Sequence, residues 1–298
     1  MIDYGVLELG FYKVFKTDPI EVIQETINRA EYFEQLGFKR VWVSEHYGAG
    51  CAWQAPEIIL TLLAGTTKKI RIGVAGVMLT ISIPLQVSHN YKLLNSLFYD
   101  RIDLGFSKGR PPEKNIYESL LDGRSEVTDF HKTITDLGRI IRNSGAKSTI
   151  PIPPLDGPPP KLWMLAMNPG NLEYAYKNHL NCCFSLCHRL LSKDEETTLS
   201  EAIRTWKSRF EEKNLKISIL IAVICSEDQS NTTDIEENRI FDFLKLNFTG
   251  NILEYRGFER ELLTKYRVDE IVLANIFEES SEFLDTVSCC MKSAQSVL

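Results

Sequence analysis

The feature that most constrains this chain is a regular alternation of short β-rich runs with helix-period segments, sustained from Tyr4 to Ser293. Tyr4–Gly10, Arg40–Ser44, Ile70–Leu79, Ile102–Phe106, Leu162–Ala166, Cys182–Leu186, Ile217–Cys225 and Glu270–Ala274 read as strands. Helical patterns run from Asp18-Pro19 to Gly37, then over Pro56–Ala64, Pro84–Phe98, Phe130–Ile141, Leu172–Lys177, Glu195–Lys213, Asp234–Asn247 and Ser281–Ser293. An extra helix around Glu259–Tyr266 precedes the last strand. Strands separated by helices pair in parallel, because each crossover helix covers a face of the sheet. Eight such units close most simply into a (β/α)₈ TIM barrel, expected here as a single domain over residues 1–298. An open doubly wound sheet is the alternative. Its glycine-rich fingerprint is absent, since the chain after the first strand reads Leu9-Gly10-Phe11-Tyr12-Lys13.

Local signals agree with this division. Asp18 can cap a helix that Pro19 opens, and Gly37 supplies its stop. Residues 151–160 hold six of the twelve prolines. Proline lacks the backbone donor, so this stretch reads as an irregular connection between two βα units.

Charge and cysteine content narrow the function. Thirty-four basic against 40 acidic residues give a net charge of −6, with the basic residues scattered. No basic patch suited to nucleic acid is visible. The longest apolar run, near Ile217–Cys225, is far below the ~20 residues needed to cross a bilayer. The start Met1-Ile2-Asp3-Tyr4 lacks the basic region of a secretory signal. Seven irregularly spaced cysteines argue against a disulfide framework and for a reducing cytoplasm. Cys182, Cys183, Cys187 and His188 fit no standard zinc spacing, and Cys289 and Cys290 read as packing residues of the last helix.

Active sites of parallel barrels form from the loops that follow the strands, so the strand list becomes a site list. Glu45, His46 and Tyr47 follow the second strand, and Gly73–Val77 lies in the third. Ser107, Lys108, Gly109 and Arg110 follow the fourth; Met167–Asn171 follows the fifth; Cys187, His188 and Arg189 follow the sixth. His46 is the candidate for proton transfer, because imidazole titrates near neutrality; a structural histidine at a strand end is the alternative. Ser107–Arg110 offers a hydroxyl and two cations for a phosphate, or is a solvated basic turn. The turn Asn168–Asn171 opens a helix, as an anion site or as a simple cap.

Five segments, in this order, resemble the bacterial luciferase-like family of flavin-dependent oxidoreductases. They are Leu36–His46, Ile70–Leu79, Arg101–Gly105, Trp163–Ala166 and Arg267–Leu273. The resemblance implies a luciferase-like (β/α)₈ barrel binding FMN, or deazaflavin F420 in some branches. It implies His46 as the catalytic histidine and Glu45 as its neighbouring carboxylate. Ala75 and Gly76 match a bulge where the family often has a non-proline cis peptide against the flavin ring. Ser107 falls where luciferases carry a reactive cysteine, Lys108 matches a basic residue reaching the phosphate, and Asn168, Gly170 and Asn171 match the phosphate turn.

The implied activity is monooxygenation by reduced FMN, or hydride transfer to a small organic, natural-product or peptide substrate. The implied partners are a supply of reduced flavin or a reductase, and a second subunit, as a homodimer or a heteromer. An F420-dependent reductase and a non-catalytic flavin-binding accessory subunit are the alternatives. The chain departs from the family at four places. Met167-Asn168 and Asn171 stand where hydroxyl residues are common, Tyr47 replaces a second histidine, and Thr80 replaces a proline. After the seventh strand only polar Ser226–Thr233 precede the next helical pattern, which implies a short cover over the site.

Overall fold

The computed structural model describes residues 2–125, 129–227, 244–277 and 280–295. Eight strands form a closed parallel barrel: β1 (Asp3–Glu8), β2 (Arg40–Val43), β3 (Arg71–Met78), β4 (Ile102–Ser107), β5 (Lys161–Ala166), β6 (Asn181–Ser185), β7 (Ile217–Ile221) and β10 (Glu270–Ala274). A separate two-stranded parallel sheet joins β8 (Val223–Ser226) to β9 (Phe248–Asn251). The crossover helices are α1 (Pro19–Leu36), α2 (Pro56–Thr66), α3 (Pro84–Leu97), α4 (Lys114–Leu121), α5 (Phe130–Arg142), α6 (Asn171–Lys177), α7 (Lys193–Glu212), α8 (Ile252–Tyr266) and α9 (Ser280–Gln295). By contact density the chain divides into two compact units. One comprises residues 10–31 and 40–165, with β2–β5; the other comprises residues 1–9, 32–39 and 166–298, with the remaining strands.

The helix starts follow from local chemistry. Asp18 accepts from the Ile20 amide at 2.9 Å, as its position before Pro19 predicts. Pro56 and Pro84 open α2 and α3, where a missing N–H costs nothing. Ser192 with Glu195 and Asn251 with Glu254 form reciprocal capping boxes at α7 and α8. Gly37, at φ +90°, turns the chain out of α1.

In the first unit the barrel interior is filled by β2, β4 and β5. Arg40 lies 5.2 Å from the Trp42 ring and 4.4 Å from the Trp163 ring, and the two rings meet edge to face at 5.4 Å. Strands β2 and β5 are not neighbours in the sheet, so side chains that meet this way point inward. Asp103 is fully buried between Arg40 (2.6 Å) and Arg71 (2.8 Å). Burial alone would raise its pKa, but the two guanidinium groups overrule it and hold the carboxyl below the usual range.

The proline-rich segment packs against α3. Lys92 donates to the Ile152 carbonyl at 2.9 Å, and Asn95 donates to the Pro158 carbonyl at 3.0 Å. The Asn95 side chain also accepts from Ile102, the first residue of β4. The segment therefore lies at the N-terminal rim, away from the ends of the strands where a site forms.

Four expectations change. Ile217–Cys225 is two strands, because Asn247 takes both backbone groups of Ala222: its side-chain oxygen accepts the N–H at 3.0 Å, and its own amide bonds the carbonyl at 2.8 Å. The helix expected over Asp234–Asn247 falls largely outside the described residues, and its described end, 244–247, is not helical. The segment Ser226–Thr233 also lies mostly outside them, so the expected short cover is not described. An additional helix, α4, follows β4; it fully buries none of its residues, and its apolar face of Ile116, Tyr117, Leu120 and Leu121 is half-buried. Cys225 and Cys289 face each other at a Cα separation of 6.1 Å and form a disulfide between β8 and α9, so Cys289 is more than a packing residue. Among the described residues, no cluster able to hold a metal is present and no helix is long and apolar enough to cross a membrane.

Candidate active site

The end of β2 separates its side chains onto two faces. Successive residues of a strand point to opposite sides, and Arg40 and Trp42 point inward. Ser44 and His46 continue that phase: the Ser44 hydroxyl lies 2.8 Å from Nδ1 of His46. The half-buried imidazole packs against Phe11 at a tilt of 36°, with a centroid distance of 4.7 Å. Trp53 donates to the Ser44 carbonyl at 2.9 Å and fills the space beside Gly10, so the loop after β2 folds back and fixes the ring.

Glu45 and Tyr47 take the opposite phase. The Tyr47 hydroxyl donates to Oε1 of Glu45 at 2.6 Å, and the Met78 amide donates to Oε2 at 2.9 Å. Glu45 is only 7% exposed. Burial pushes its pKa up to about 7, against the two hydrogen bonds that favour the charged form. Burial and the neighbouring carboxylate together push Tyr47 far above the ordinary phenol range. Glu45 and His46, adjacent in sequence, thus belong to different environments.

Strand β3 is interrupted where the resemblance implies. The Ala75–Gly76 peptide is cis, and the β3–β4 register shifts between Val74 and Val77. The backbones press together there. A Cβ on Gly76 would stand 2.8 Å from the Gly105 carbonyl, and one on Gly105 would stand 2.4 Å from the Val74 oxygen. Neither contact is tolerable, so glycine is required on both strands.

The loop after β4 is tied to β3. Thr80, in place of a proline, donates its hydroxyl to the Gly109 carbonyl at 2.6 Å, and Ser107 accepts from the Gly109 amide at 3.3 Å. Lys108 and Arg110 are exposed, and Arg110 stands 5.9 Å from the Tyr117 ring. These cations are the donor set suited to a phosphate in this unit.

In the other unit, Asn168 closes its own turn. Its side-chain oxygen accepts from the Gly170 amide at 2.8 Å, and its carbonyl accepts from Asn171 at 3.0 Å. The Gly170 amide offered by the sequence as an anion donor is already engaged. A cavity of about 270 Å³ opens between the ends of β5 and β6 and the start of α7. Its lining includes buried Ala166, Phe184, Ser185 and Leu199 and exposed Asn168 and Arg189, the last paired with Glu195 at 2.7 Å. Sequence reasoning did not single out Ser185, Asp194, Glu195 or Thr198. The capping-box spacing of Ser192 and Glu195 is the one signal that could have placed this lining.

The structure therefore places Glu45, His46, Ala75, Gly76, Ser107 and Lys108 at or just beyond the ends of β2, β3 and β4, and Asn168 and Gly170 in the turn between β5 and α6, with Asn171 opening α6. The family model for luciferase-like monooxygenases matches residues 9–268. The chain belongs to this family. It is 32% identical over 125 residues to an N-acetyl-S-alkylcysteine monooxygenase of Bacillus subtilis, covering 41% of this chain and 37% of that one. The matched stretches span about half or less of the length of such curated relatives. Two solved structures share the barrel. Apo-MsnO8 superposes with a TM-score of 0.84 at 19% identity, covering 99% of both chains. The oxygenating constituent of 3,6-diketocamphane monooxygenase from Pseudomonas putida, in complex with FMN, superposes at 0.72 with 12% identity, covering 98% of this chain and 97% of that one.

Proposed function

We propose that this luciferase-like chain is a flavin-dependent oxidoreductase that uses reduced FMN for monooxygenation of, or hydride transfer to, a small organic or natural-product substrate. The observation that carries the reading is the pairing of the Ala75–Gly76 bulge, where the β3 and β4 backbones press together, with a half-buried His46 held at the end of β2. Bound reduced flavin would supply the electrons, and the protein's part is to hold, orient and protonate. Ala75 and Gly76 would present backbone to the ring, with Ser107 beside it. Lys108, joined by Arg110, would neutralise the phosphate. Asn168, Gly170 and Asn171 contribute less, because Asn168 already satisfies the Gly170 amide. His46 handles the proton, its ring held by the Ser44 hydroxyl at Nδ1.

The partners follow from the surface and the chemistry. Ile58 and Leu62 on α2 and Leu93 and Leu97 on α3 are exposed, which supports a homodimer or partner subunit through these helices. The need for reduced flavin, from a reductase or a free pool, supports a cytoplasmic setting. The test is to titrate the purified chain with FMN and with F420, each oxidised and reduced. Tight FMN binding with a perturbed two-band flavin spectrum supports the reading. Preference for F420, with its single band, makes the chain an F420-dependent reductase instead. Binding without turnover of reduced FMN and O₂ makes it an accessory subunit.

A further inference from the structure

The β2–β3 ladder ends at Val43 and Val74, just before the cis peptide. Beyond the bulge β3 keeps only one neighbour: Val77 and Met78 pair with Phe106 and Ser107 of β4. The Leu79 amide points to that side, donating to the Ser107 carbonyl at 3.3 Å. Successive backbone amides of a strand alternate sides, so the Met78 amide points to where β2 would be. No β2 carbonyl pairs with it there. Oε2 of Glu45 receives that amide at 2.9 Å. The other oxygen is held by the Tyr47 hydroxyl at 2.6 Å, so both carboxyl oxygens are engaged. A buried amide left without an acceptor is costly.

We propose that Glu45 is a positioning residue whose carboxyl group replaces β2 as the partner of β3 beyond the Ala75–Gly76 bulge, and that it thereby sets the backbone edge presented to the flavin, with Tyr47 holding it in place. The second clause rests on the flavin reading; the first does not. His46, on the inward face, keeps the proton-handling role, and Glu45 acts through the strand rather than by touching substrate. The carboxyl suits this task because it offers two acceptors to two donors. A glutamine retains one acceptor for Met78 and an amide that can donate to the Tyr47 oxygen.

The experiment compares wild type with Glu45→Ala, Glu45→Gln and Tyr47→Phe by amide hydrogen exchange and by FMN titration. In Glu45→Ala, exchange over residues 76–79 should rise about tenfold or more while Ile217–Ile221 stays as in wild type; in Glu45→Gln it should remain within about threefold of wild type. Tyr47→Phe should fall between them. FMN affinity should weaken about tenfold in Glu45→Ala and be restored in Glu45→Gln. Unchanged exchange in Glu45→Ala overturns the clamp. Raised exchange with unchanged FMN affinity overturns its positioning role. If wild type binds neither FMN nor F420, the flavin reading fails, and the exchange measurement still decides whether Glu45 clamps β3.

Discussion

The ends of β2–β4 and the ends of β5–β6 meet the same problem by different means. Both must satisfy backbone groups where the ladder stops. At β2–β4 the solution is non-local: Glu45 caps Met78, Thr80 reaches Gly109, and Gly76 and Gly105 press backbone on backbone. At β5–β6 the side-chain caps on backbone amides are local, Asn168 on Gly170, two residues on, and Ser185 on His188, three residues on, while Lys245 and Asn247 reach the Cys187 and Leu186 carbonyls from afar. Non-local caps hold separate strands in one arrangement. Local caps satisfy the amides of each turn alone and leave a cavity of about 270 Å³ between the strand ends and α7. The first region suits chemistry that needs fixed geometry, and the second suits accommodation of a ligand.

The sharpest way to break this contrast is at His46. His46→Ala should lower turnover by about 10²–10⁴ with little change in FMN affinity, whereas Ser185→Ala, in the other region, should mainly alter KM. Steady-state kinetics beside flavin titration checks both; a normal rate for His46→Ala would remove the first region from the chemistry.

Next comes pH. Glu45 has a folded pKa raised to about 7 from an ordinary value of 4.5. Between those values the folded state binds the extra proton. The neutral form's contribution to stability is therefore fully present below about pH 4.5 and is lost as pH rises through about 7, a change of about 3 kcal/mol. Denaturant unfolding between pH 5 and about 8 should show this slope in wild type and a shallower one in Glu45→Gln. Equal slopes would place the carboxyl in a wetter setting.

Lys108→Ala should weaken FMN binding by about 1.5–3 kcal/mol and leave riboflavin unaffected, while Asn168→Ala should cost only about 0.5–1 kcal/mol of binding. Isothermal titration with the two flavins separates them. The reverse order would move the phosphate to the β5 turn.

The smallest contrast concerns glycine. Gly105→Ala should destabilise by about 1–3 kcal/mol, because its Cβ would stand 2.4 Å from the Val74 oxygen. At Gly170 the nearest atom is 3.3 Å away and belongs to the Asn168 side chain, so Gly170→Ala should change stability by no more than about 0.5 kcal/mol. Thermal melts of the two variants test the difference in packing between the regions.

What could be read from the residues alone follows from short-range rules. Strand and helix periods, Asp18 before Pro19, and the prolines opening α2 and α3 are set by neighbours a few residues away, so the barrel was legible. The motif Ile70–Leu79 likewise located the Ala75–Gly76 bond through its likeness to a family. Strand phase was not legible from adjacency. Glu45 and His46 read as neighbours in one loop, and only the meeting of Trp42 and Trp163 across the interior shows which phase points inward. The same holds for Asn247, which ends β7 from 25 residues away, and for Cys225 and Cys289, joined across 64. Periodicity is a property of the local backbone, whereas the partner of an orphaned amide or a thiol depends on which distant segment packs against it, and that is decided only when the chain closes.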